Sequence, residues 1–422
     1  MGGMIRRIRS LALRAVLGTT LAVLCLTPGI VGAEGADGSE EESESAEEAS
    51  FHIGGAFRYN LLYTYYEGSV ASLGTEGRNE ATWDMWRIDS HGHLGPLDYS
   101  FQYRFYPTFS THFIHHGWLG WSATNRTRLE LGVTQVPFGM LPYGSHSWWF
   151  QLPYYLGLED DYDMGIKVSH QRDGWDLTLG YFVLPEPRGT PDPAFGAYSS
   201  ARYSYDVVPV PGESNLQRHQ VNARVAYERN DVEVGLSGQR AEIYNQVTGN
   251  RGSQWAAAAH VDARYGPWGL KTQYIFYDYR GVEDDAENAL EVVQMSAYGV
   301  GSYDVAGRAQ IISAGLSYEW ALAIGPVTSV QFYNDYSLMM KANDFATTQQ
   351  NVLGGLITAG PLLIYTDIAS GIHHPWLSSS FGGPALGAGR PVDVEEPISP
   401  QNPVDRDPGW NTRLNINIGL YF

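Results

Sequence analysis

Cysteine, lysine and long apolar runs are what this sequence has least of. Its 422 residues hold one cysteine and three lysines. The cysteine, Cys25, lies in a leader: Arg6, Arg7, Arg9 and Arg14 form a basic n-region, residues 15–26 an apolar stretch, and Val31-Gly32-Ala33 a small-x-small cleavage pattern. Residues 1–33 therefore read as a secretory signal peptide. Leu24 before the cysteine argues against lipid attachment, which prefers a small residue there. The exported product then has no cysteine, which excludes disulfides, thiol chemistry and thiolate-bound zinc. No later apolar run approaches the roughly 18 residues of a membrane helix, so spanning by helices is excluded. Bases are scarce as well. Beyond the leader 23 face 46 acids, an imbalance that disfavours nucleic acid as a partner.

Eight of the acids crowd into residues 34–50, EGADGSEEESESAEEAS, without one base. Such a run cannot bury enough apolar surface to offset its ordering entropy, and it reads as a disordered periplasmic tail. From Phe51 onward the pattern changes to strict alternation. Phe51, Ile53, Phe57, Tyr59, Leu61, Tyr63 and Tyr65 share one face, with Arg58, Asn60 and Thr64 on the other. Trp175, Leu177, Leu179, Tyr181 and Val183 oppose Asp176, Thr178 and Gly180. Val221, Ala223, Val225 and Tyr227 oppose Asn222, Arg224 and Glu228. The chain ends the same way, Leu414, Ile416, Ile418, Leu420 and Phe422 alternating with Arg413, Asn415 and Asn417. Period two is the signature of a strand with one apolar and one polar face.

Short turns such as 228–231 and 264–267 alternate with long polar stretches such as 184–215 and 371–408. Tight turns at one end and long loops at the other, with tyrosines near the strand ends, belong to an outer-membrane barrel. The apolar face then meets outer-membrane lipid and lipopolysaccharide, and the polar face lines a lumen. About 370 residues in strands of roughly 10 plus connections give about 16 strands, so the expected fold is an all-β, transmembrane antiparallel barrel over residues 51–422. A barrel of that size cannot fill its centre with its own side chains. The expected function is a porin: passive diffusion of ions and small hydrophilic solutes through the outer membrane of a Gram-negative-type bacterium. Phe422 resembles the C-terminal aromatic by which barrel-assembly machinery recognises its clients.

One stretch, Gln135 to His170, breaks the alternation. Its prolines and its unpatterned Trp148, Trp149, Tyr154 and Tyr155 suit a loop folded into the lumen over 136–163 as a constriction. Glu159, Asp160, Asp161 and Asp163 would then set an acidic field against lumen-lining Arg58, Arg87, Arg104, Arg126, Arg128, Arg224 and Arg413. The four aromatics could instead stack on sugar rings, which gives the alternative of a facilitator specific for a sugar or other small organic solute. Asp89, His91 and His93 share a strand face but read as a polar lumen row, so no metal or other cofactor is expected. His115-His116 and His373-His374, as strand neighbours, would point to opposite faces. Ser145-His146, adjacent in sequence, builds no triad, and no enzyme is expected.

The segment LELGVTQVPFGMLPYG closes a strand in a Gly-x(4)-Pro-Phe-Gly turn at Gly132, Pro137, Phe138 and Gly139. It resembles the corresponding turn of the phosphate-selective porin O/P-like family, as do the chain length and the Phe422 terminus. The resemblance implies a 16-stranded, trimeric pore for small solutes with an inward-folded loop. Phosphate-specific members have lysine-rich lumens, whereas Lys167, Lys271 and Lys341 are the only lysines here.

Overall fold

The computed structural model describes residues 49–65, 78–190, 200–285, 290–378, 381–382, 385–386 and 409–422. The leader and residues 34–48 of the acidic tail lie outside the described residues. The strands are β1 (Ser50–Tyr65), β2 (Arg78–Leu94), β3 (Leu97–Tyr106), β4 (Thr111–Thr124), β5 (Thr127–Gln135), β6 (Tyr162–Arg172), β7 (Trp175–Pro185), β8 (Asp206–Val207), β9 (Asn215–Arg229) and β10 (Val232–Asn245). There follow β11 (Arg251–Tyr265), β12 (Trp268–Arg280), β13 (Val292–Ser296), β14 (Tyr303–Ala306), β15 (Arg308–Ile324), β16 (Val327–Lys341), β17 (Thr348–Ala359), β18 (Leu362–Ile372) and β19 (Asn411–Tyr421). Sixteen of them close into one antiparallel barrel. The remaining three, β8, β13 and β14, form a small sheet within the loops.

Tight turns supply the hairpins at one end. Gly95-Pro96, Gly266-Pro267, Gly325-Pro326 and Gly360-Pro361 each place glycine at positive φ, 57° to 60°, in the first turn position, which two-residue hairpins of the II′ kind demand. A Cβ on any of these glycines would meet nothing within 4 Å, so backbone conformation alone requires them. The other end carries the long connections.

The alternation sorts as expected. Leu61, Leu131, Leu179, Leu236 and Leu316 stand exposed on the outside, while Asn60, Thr178, Ser237 and Ser317, next to four of them in the strands, are buried within. Pairs of aromatics, Trp175 with Tyr227 and Trp268 with Tyr318, meet in tilted and edge-to-face contact with centroids 4.8 and 4.9 Å apart near the tight-turn end, where an interfacial girdle sits. The terminal strand has neighbours on both edges: β19 pairs with β18 and with β1. Closure continues to the last residue, where Gly55 N–H donates to Phe422 O (2.7 Å) and Phe422 N–H to Gly55 O (3.0 Å). A Cβ on Gly54 would stand 2.5 Å from the Phe422 carbonyl oxygen, so the seam is built around its absence.

Three expectations change. The irregular stretch ends earlier, because β6 begins at Tyr162; Met164, Ile166 and Val168 alternate there, but only these three apolar residues mark it. Asp163 is thus a wall residue, not part of the loop. Arg126 occupies the two-residue turn between β4 and β5 and is exposed there rather than lining the lumen. Bulges, which strict alternation cannot anticipate, redirect others. The ladder skips Asp84 in β2 and His115 in β4; both side chains are buried, and the His115 and His116 rings meet, Nδ1 to Nδ1, at 2.9 Å.

Candidate functional site

Residues 136–161, between β5 and β6, fold into the barrel. The Pro-Phe-Gly turn starts the excursion, and Gly139 is the first residue to reach the far wall. Its φ is +62° and a Cβ would lie 2.4 Å from Gln273 Oε1, so glycine is needed for both conformation and approach. Gly139 N–H donates to Ser237 Oγ (2.8 Å) and its carbonyl accepts from Arg224 Nε (2.9 Å). Met140 N–H then donates to Gln273 Oε1 (2.8 Å).

Two buried wall carboxylates hold the loop further along. His146 and Ser147 N–H both donate to Asp335 Oδ2 (2.7 and 2.8 Å), and Trp148 N–H to Asp367 Oδ2 (3.2 Å). Leu152 N–H donates to Ser337 Oγ (3.2 Å). Backbone amides that would otherwise be stranded inside the barrel thus find charge-assisted acceptors. Two lysines serve loops as well, Lys271 Nζ donating to Tyr143 O (3.0 Å) and Lys341 Nζ to Ala385 O (2.5 Å), while Lys167 Nζ donates to Gln135 O at the end of β5 (3.2 Å) and pairs with Glu130 (2.8 Å). The loop therefore leans on the wall of β9 through β18.

Its tip faces the opposite wall. Trp148 lies under the Arg58 guanidinium (5.9 Å) and Trp149 under that of Arg413 (5.2 Å). Arg58, Arg87 and Arg104 stand on the adjacent strands β1, β2 and β3, with Arg87 and Arg104 directly paired in register. Arg58 binds Asp84 and Arg87 binds Asp89, each at 2.8 Å, and both arginine side chains keep contact with water, at 16% and 22% exposure. Arg104 lies 4.5 Å over the Tyr203 ring. Arg128 pairs with Asp98 (2.6 Å) lower on the wall. Arg224, by contrast, is buried against the loop and Glu233.

The three loop acids and the wall residue Asp163 do not face the open lumen: Glu159, Asp160, Asp161 and Asp163 are each more than nine-tenths buried. Burial pushes the Glu159 carboxyl up to about 8, against a hydrogen bond from Gly144 N–H and the charge of Lys271. Burial also raises Asp160, which accepts from Tyr203 OH (2.5 Å) and Gln135 Nε2 (3.1 Å). Asp161 is raised by burial and then by Glu186. The physical reason is position: Asp160, Asp161 and Asp163 lie behind the loop among Tyr203, Ser204 and Glu186, and Glu159 lies against Gly144, where a charge has little water.

Tyr154 and Tyr155 are buried too. With Tyr106, Tyr203, Tyr205 and Tyr298 they form an aromatic cluster beneath the outer loops, the Tyr154 and Tyr298 hydroxyls hydrogen-bonded to each other. Of the four aromatics singled out in the sequence, Trp148 alone is only half-buried. Ser145 Oγ turns to Ser147 O (3.5 Å), while the His146 ring takes Asp335 Oδ1 (2.8 Å), so the two do not form a nucleophile and base. Asp89 is engaged by Arg87 and by Gln102 Nε2 (2.6 Å), and the His91 ring stacks on His52 (5.0 Å). Sequence reasoning missed Asp335 and Asp367, whose only signal was the single acid on the polar face of its strand.

No protein-family model matches the sequence, and no curated relative matches it. Solved structures do. The outer membrane channel DcaP of Acinetobacter baumannii superposes with a TM-score of 0.54 at 11% identity, over 90% of this chain and 99% of that one. An anion-selective porin from Comamonas acidovorans gives 0.52 at 13%, over 89% and 100%. The trimer form of OmpT, an outer membrane protein of Vibrio cholerae, gives 0.51 at 13%, over 89% and 100%. At such identities the likeness establishes the fold: that of an outer-membrane porin barrel.

Proposed function

We propose that this barrel is a porin, a water-filled channel for passive diffusion of ions and small hydrophilic solutes across the outer membrane, working as a homotrimer. The observation that carries this reading is the placement of charge. The loop leans on the β9–β18 wall, and the water-contacting charges collect on the opposite side, where Arg58, over Trp148, stands with Arg87 and Arg104. With Glu159, Asp160 and Asp161 buried and their carboxyls raised, and with Asp84 and Asp89 offsetting Arg58 and Arg87 but not Arg104, the field on this side of the lumen is net basic, which favours anions. The Gly132-to-Gly139 turn supports kinship with the O/P-like porins. Phosphate is not proposed as the solute, since Lys271 and Lys341 reach loop carbonyls and Lys167 pairs with Glu130. Trimer assembly, contact with lipopolysaccharide and insertion through the Phe422 terminus are part of the same reading, supported by the apolar exterior and the strand closure at Phe422.

Reversal potentials in planar bilayers under a salt gradient test it. The native channel should prefer anions, and Arg58→Gln with Arg87→Gln and Arg104→Gln should move the potential toward cations. An unmoved potential would remove the arginines from the permeation path. The half-buried Trp148 keeps the facilitator reading alive in narrower form; it requires saturable block of the ion current by a sugar or other small organic solute, relieved in Trp148→Ala.

A further inference from the structure

We propose that the chain binds one divalent cation, of calcium's size, where the inward loop, the barrel wall and the outer connection 186–214 meet. Asp161 comes from the loop, Asp163 from β6 and Asp206 from β8, and one carboxylate oxygen of each lies within 4.8 Å of the other two. Oxygens so spaced can share a single ion at the 2.3–2.6 Å typical of calcium, and an all-carboxylate set selects a hard cation. All three residues are buried.

A fourth side chain points to a ligand independently. Glu186 is completely buried, its Oε1 accepts from Ser204 N–H (2.7 Å), and its Oε2 has no hydrogen-bond partner. Ser204 also serves Asp161, and Glu186 is the foremost neighbouring charge acting on both Asp161 and Asp206. Asp161 Oδ1, Asp163 Oδ1 and Asp206 Oδ2 lack hydrogen-bond partners as well. The cation set against these carboxylates among the described residues is Arg202, whose Nη1 stands 3.7 Å from Asp206 Oδ2. Several dry carboxylate oxygens with one guanidinium are costly to bury. A divalent ion would satisfy them together and would tie the outer connection to loop and wall.

Terbium, a luminescent stand-in for calcium, tests this on the full-length folded protein in detergent after treatment with chelator. Tyr162 and Tyr205, each one residue from a member of the group, would sensitise its emission. The expected result is saturable emission from one site per chain, displaced by calcium. Asp206→Asn with Glu186→Gln should weaken it roughly tenfold or more, while Asp173→Asn, in an exposed turn, leaves it unchanged. Absence of saturable emission, or undiminished affinity in the double variant, would overturn the proposal. Should that variant fail to fold, the calcium content of native protein after equilibration and washing decides: one ion per chain supports the site, none overturns it.

Discussion

Glu159 shows how a residue that reads as lumen charge becomes something else once its neighbours are in place. Its side chain lies against Gly144 at the back of the inward loop, and the folded barrel holds its proton up to about 8, against an ordinary value of 4.5. A carboxyl that binds its proton more tightly when folded loses stability as pH rises. The decline begins above the unfolded value and levels off past about 8. The temperature at which the folded band is lost on electrophoresis should therefore fall between pH 6 and pH 9, and Glu159→Gln should make that slope shallower. Equal slopes in the two proteins would show that the carboxyl titrates as an ordinary one. The sequence carried the identity of this acid but nothing about its burial, because the wall groups that face it, Lys271 and Asp335, come from strands far downstream.

Strands and loops differ in how far the sequence exposed them. β1, β7, β9 and β19 were plain from period-two alternation, because hydrocarbon on one side and water on the other impose opposite chemistry on successive residues. β6 was hidden by its sparse apolar residues, and the sheet of β8, β13 and β14 by lying among loops, where neither solvent imposes a period. Leu179 tests the exterior. It stands at mid-strand with 62% of its surface exposed, and Leu179→Arg should cost about 2–4 kcal/mol of folding stability in lipid; a neutral effect would place that face against protein. The inward loop tests the interior. Asp335 accepts from His146 and Ser147 N–H, and charge-assisted bonds contribute roughly 1.5–3 kcal/mol each. Asp335→Asn should loosen the loop and give a noisier, larger single-channel current than the native protein. A current identical in size and noise would mean that Asp335 does not fix the loop's position.

At the scale of the molecule, strand count, closure and the tight-turn end followed from length and pattern, whereas the way the loop divides the lumen did not. That division arises from contacts between residues far apart in sequence, such as Gly139 with Ser237 and Trp148 with Asp367. It leaves one wall covered and the other, with Arg58, Arg87 and Arg104, in contact with water. Sixteen strands enclose more space than their own side chains fill, and the loop occupies part of it. Conductance of the purified, folded protein in a planar bilayer measures directly whether the remainder is a passage. Discrete, stepwise increases in current on insertion are the predicted result, and a bilayer that stays electrically silent with folded protein inserted would contradict the channel.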